Sequence, residues 1–124
     1  LSTPPVLAIA PLAASLEHFD TVGLTALRKK SVALTGYLEA LVRARLGGSV
    51  TILTPEDPAA RGAALSLRLE VDRNRARAAF DGLRTRGIVP DWREPGVIRA
   101  APVPFYNSFD DAWTFVEALQ SELG

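Results

Sequence analysis

The chain has 124 residues, 48% hydrophobic and 23% charged, with fourteen basic side chains against fourteen acidic ones. That length and apolar fraction suit one core, and the balanced charge offers no field to steer the protein toward nucleic acid or an anionic membrane. With no Cys and one His, disulfides, thiolate metal sites and a clustered-histidine metal site are excluded.

Pro4 and Pro5 suit the first turn of a helix, where missing N–H groups cost nothing, and Thr3 is placed to cap it. Leu12, Leu16 and Phe19 recur at helical spacing, and Asp20, Thr21 and Gly23 close the segment. The run Val6 to Ala14 has the apolarity of a secretory or membrane segment. It lacks a preceding basic stretch, contains Pro11, and falls short of the ~20 apolar residues a span needs. The expectation is therefore a helix packed in a protein interior. Leu24, Leu27, Ser31, Leu34, Leu38, Leu41 and Arg45 form the stripe of a second helix, with Glu39 one turn before Arg43 and Gly47-Gly48 as its stop.

Val50 to Leu53 is a short β-branched run ended by Thr54-Pro55. Leu65, Leu67, Leu69 and Val71 alternate with Ser66, Arg68 and Glu70, which predicts a strand with one buried face. Asp72 can cap a third helix with Ala76, Ala79, Phe80 and Leu83 on its core stripe and Gly87 at its end. Two further strands are expected over 88–93 and 97–103, joined by a type II turn with Pro95 and Gly96 in its central positions. Ser108 with Asp111 marks a capping box for a last helix, whose stripe would be Phe109, Ala112, Trp113, Val116, Leu119 and Leu123. The order predicts an α+β fold in one domain over 1–124, a mainly antiparallel sheet of about four strands with helices on one face.

Chemistry is scarce. His18 lies off the first helix's stripe and reads as solvent-facing; Lys29 and Lys30 lie on the polar side of the second helix. There is no GxGxxG or GKS/T loop and no GxSxG elbow. Arg73, Arg75, Arg77, Arg84 and Arg86 read as a solvated helix face, for want of interleaved aromatics beyond Phe80. Arg99 stands apart as the one charge between Glu94 and Asp110. Alternation places it with Val97 and Ala101, opposite Ile98 and Ala100. A guanidinium fork among small neighbours suits a carboxylate; an ordinary outer-face Arg fits the same pattern, and the residues leave the two open. No catalytic residue and no metal ligand emerges.

The run from Asp91 to Phe109 (DWREPGVIRAAPVPFYNSF) closely resembles the C-terminal signature of kynureninases. Matches at Thr3-Pro4-Pro5-Val6, at 31–38 (SVALTGYL) and at Arg61-Gly62 leading into Leu65-Ser66-Leu67-Arg68 extend it along the whole chain. Bacterial-type members have Gly before the Thr, where this sequence has Ser2. The resemblance implies the C-terminal small domain and junction helix of a fold-type-I, pyridoxal-phosphate-dependent, cytoplasmic homodimer. Such an enzyme hydrolyses L-kynurenine, or its 3-hydroxy derivative, to anthranilate (or 3-hydroxyanthranilate) and L-alanine. It implies that Arg99 holds the substrate α-carboxylate and that Thr3 lies at the cofactor. The Schiff-base lysine and the aspartate facing the pyridine nitrogen belong to a large domain preceding this chain. With the start at Leu1 and no Met, the expectation is a piece of that enzyme, inactive alone and binding no pyridoxal phosphate by itself. The alternatives are a free-standing non-catalytic domain of the same fold, and another fold-type-I enzyme such as a desulfurase-like protein.

Overall fold

The structure, a computed structural model, describes residues 5–124. Four helices, α1 (Val6–Val22), α2 (Leu24–Leu46), α3 (Arg73–Thr85) and α4 (Phe109–Leu123), accompany four strands. The strands are β1 (Val50–Ile52), β2 (Leu65–Leu69), β3 (Asp91–Arg93) and β4 (Val97–Ala100), joined in one antiparallel sheet of order β1-β2-β4-β3. The α+β class and the strand count are as the alternation predicts. Both later strands are shorter than expected: Pro90 and Pro102, which have no N–H to give, stand just before β3 and just beyond β4.

The core lies between one sheet face and three helices. Leu65, Leu67, Leu69 and Ile98 point from the sheet to Leu34, Leu38, Phe80, Leu83, Val116 and Leu119, all buried. On α2 the buried set runs Leu27, Ser31, Leu34, Leu38, then Val42 and Leu46, in place of Leu41 and Arg45. A stripe stepping alternately three and four residues has a period of about 3.5, and on a helix of about 3.6 it drifts until a later position faces inward. On α4, Phe115 and Ala118 join the core, whereas Phe109 and Trp113 remain partly exposed. Phe109 sets its edge against Tyr37, and Trp113 lies under the Arg45 guanidinium.

The first helix forms but corrects one expectation: no residue of α1 is buried. The sheet face already carries α2, α3 and α4, so α1 runs on from α2 through Gly23, which takes φ 81. Leu7, Leu12, Leu16 and Val22 are left exposed. Phe19 reaches back, edge-on to Phe105 at 4.8 Å. Neither α1 nor any other helix among the described residues is long and apolar enough to cross a membrane.

Loop 54–63 is pinned to α2. Arg28 donates to the Arg61 and Pro58 carbonyls, and Glu39 Oε2 meets Arg61 Nη2 at 2.5 Å. Arg43 Nη2 reaches both Glu39 and Glu56. Inside that loop Asp57 caps a 3-10 turn, Pro58–Ala60.

The last helix begins as its spacing predicts. Ser108 Oγ accepts from the Asp111 N–H, and Asp111 Oδ2 accepts from the Ser108 N–H at 2.8 Å. The Ser108 backbone and hydroxyl bonds hold the Asp111 carboxyl below its ordinary value. Its contribution is therefore complete above the ordinary aspartate range and lost as pH falls through the lowered value. Ser108→Ala is expected to cost about 1 kcal/mol, read as a lower urea midpoint at unchanged slope.

Candidate carboxylate-holding site

The outer face of the sheet bears no helix, and there the charged side chains gather. Across antiparallel strands, directly paired residues share a face. Arg99 is paired with Ser66 on one side and Asp91 on the other, so all three project outward. Arg68, Val97 and Arg93 form the next row of the same face. Ile98 and Ala100 are buried on the opposite side, as the alternation predicts.

Asp91 is the hub of this patch. Its Oδ2 lies 2.7 Å from Arg99 Nη2 and accepts from Arg93 Nε at 2.9 Å, with Arg93 Nη2 also at 2.9 Å. Arg68 is taken up separately by Glu70 at 2.8 Å. Two guanidiniums thus share one carboxylate and leave one net positive charge. The Arg99 side chain is 46% exposed, and its neighbours Ser66 and Ala101 are too small to cover it. The arrangement can bind a monoanion.

Arg99 is therefore where the sequence puts it, and open. Thr3 lies outside the described residues. Asp91 was not singled out from sequence, because its role depends on strand register. The hairpin differs from the expected turn: Arg93 pairs with Val97, so the loop holds three residues, 94–96, with a cis Glu94-Pro95 bond and no positive φ at Gly96. His18 is exposed on α1, as its place off the stripe suggests. Lys30 Nζ donates to the Pro104 carbonyl at 2.6 Å. Among the described residues no group of His, Asp and Glu is arranged to hold a metal ion.

A separate groove of about 260 Å³ lies between the 87–90 loop, the end of β4 and the start of α4. It has no cationic side chain on its walls, and two of its polar residues, Asn107 and Asp111, are engaged at the α4 cap. It is no carboxylate site.

A family model described as "Kynureninase C-terminal domain" matches residues 27–119. The chain is 55% identical over 121 residues to the kynureninase of Xanthomonas euvesicatoria pv. vesicatoria (strain 85-10), which covers 98% of this chain and 29% of that protein. It is 54% identical over all 124 residues to the kynureninase of Stenotrophomonas maltophilia (strain K279a), again spanning 29% of the relative. Among solved structures, a glycine decarboxylase (P-protein) of the glycine cleavage system superposes with a TM-score of 0.65. That match has 22% identity and covers 86% of this chain and 24% of the other, a likeness of fold alone.

Proposed function

From the premise that the chain belongs to the kynureninase family, through its C-terminal domain, we propose that it holds the substrate carboxylate of a pyridoxal-phosphate-dependent hydrolase. That enzyme cleaves L-kynurenine or its 3-hydroxy derivative to the corresponding anthranilate and L-alanine. The observation that carries this reading is Arg99, exposed on a helix-free sheet face with a net positive charge around it. A fork bound to the α-carboxylate fixes the amino acid's orientation, so that the bond to be cleaved stays aligned for reaction.

The described residues do not fit the cofactor. Both lysines are exposed on α2, one of them bonded to a backbone carbonyl, and the groove beside α4 lacks a cation for a phosphate. The curated relatives are more than three times its length, and the reading gives the cofactor to the part they have in addition. Residues 1–124 then correspond to the small domain plus a junction helix, with Thr3 as the residue this chain would contribute to the cofactor. The exposed apolar side of α1 is the surface on which that larger domain would close, since a stripe of this size is seldom left to water. The reading also makes the complete protein a cytoplasmic homodimer.

The test is an assay of anthranilate release from L-kynurenine. The full-length protein containing this chain is expected to turn over, and the 124-residue chain with added pyridoxal phosphate is not. Turnover by the isolated chain would overturn the assignment of roles, and none by the full-length protein would overturn the activity.

A further inference from the structure

We infer that Asp91 is a positioning residue for Arg99, setting the direction in which the guanidinium presents itself to a carboxylate; this rests on the reading of Arg99 given above. An arginine on a bare sheet face has a long, flexible side chain, and immobilising it on binding has an entropic cost. Asp91 stands directly opposite Arg99 in the β3–β4 register. Its Oδ2 lies 2.7 Å from the terminal nitrogen Nη2. An ion pair here restrains the side chain, while its 46% exposure leaves N–H groups of the planar fork open to a second anion.

Arg93 completes the device. By approaching the same Oδ2 through Nε and Nη2, both at 2.9 Å, it fixes the Asp91 carboxylate and offsets its charge. Without Arg93, Asp91 and Arg99 would cancel, and an incoming carboxylate would meet a neutral pair. With it the patch keeps one positive charge and a set orientation. Asp91 thus opposes the substrate's charge while organising its receptor, and only measurement of both Michaelis parameters separates the two.

The experiment is steady-state kinetics of the full-length protein with L-kynurenine, comparing Arg99→Ala, Asp91→Ala and Asp91→Asn. Asp91→Ala is expected to raise KM about tenfold with a smaller change in kcat. Asp91→Asn, which keeps an oxygen acceptor, is expected to recover to within roughly threefold of wild type. A fall in kcat at unchanged KM would mark lost active protein and overturn the positioning role. So would a lower KM in Asp91→Ala, which would make the aspartate a mere competitor. If Arg99→Ala is crippled while both Asp91 variants behave as wild type, the present inference fails and the carboxylate reading stands. If Arg99→Ala is itself unchanged, that underlying reading fails.

Discussion

Arg99→Ala in the full-length protein is expected to lower kcat/KM for L-kynurenine by roughly 30- to 1,000-fold, carried mainly by KM. The range corresponds to about 2–4 kcal/mol, the usual cost of removing one side of a charge-assisted carboxylate contact. Most of it belongs in KM because the α-carboxylate is not the reacting group and is held alike before and during cleavage. Arg99→Lys should keep the charge but lose the planar fork, and recover only part of the loss. Folding is not expected to confound the result. Arg99 projects from the outer face and is 46% exposed, and its removal leaves Asp91 paired with Arg93. Surface changes of this kind move stability by about 0.5 kcal/mol or less. An unchanged kcat/KM would remove Arg99 from the site.

What could be read of this site from sequence, and what could not, follows from the range of the interactions. The face Arg99 occupies was legible because alternation is local: Ile98 and Ala100 go inward, so Arg99 goes outward. The Ser108–Asp111 box was legible for the same reason, as three residues of spacing fix both bonds. The partner of Arg99 was not. With Pro95 and Gly96 as a two-residue loop, the register would have set Trp92 opposite Arg99. The observed three-residue loop sets Asp91 there and turns Trp92 inward against Phe80. A slip of one residue exchanges the faces of a strand, and it exchanges an indole for a carboxylate beside the guanidinium. The α1 misreading has a similar root: apolarity predicts that a surface will be covered, without saying that the cover lies within these residues.

Arg61 shows the same limit from another side. The Arg61-Gly62 pair contributes to the family resemblance, yet nothing local explains why an arginine should stand in a polar loop. In the folded chain its guanidinium is 4% exposed, held by Glu39 Oε2 at 2.5 Å and by the Pro55 carbonyl at 3.1 Å. Glu39→Ala is accordingly expected to be the most costly polar substitution in the chain, at roughly 3 kcal/mol, because it leaves a buried cation without its counter-charge. The figure sits at the low end for broken buried pairs because the Pro55 carbonyl remains and water reaches Glu39, which is 14% exposed. Replacing both partners by leucine is expected to cost less than replacing Glu39 alone, since the desolvated charge then goes too.

The pH dependence gives an independent check. Burial pushes the Glu39 carboxyl upward, but the bonds from Arg61 and Arg43 outweigh it and leave the net value below the ordinary 4.5. A lowered carboxylate contributes stability that is fully present above its unfolded value and disappears as pH falls through the folded one. Urea midpoints of the wild type should therefore drop below about pH 4.5, and those of Glu39→Gln should drop less. A midpoint for Glu39→Ala within about 0.5 kcal/mol of wild type would show that Arg61 finds water or another acceptor. The effect reaches the outer sheet face. Loop 54–63 leads directly into β2, whose Ser66 lies opposite Arg99, so the ion pair that anchors this loop to α2 also steadies the strand beside Arg99.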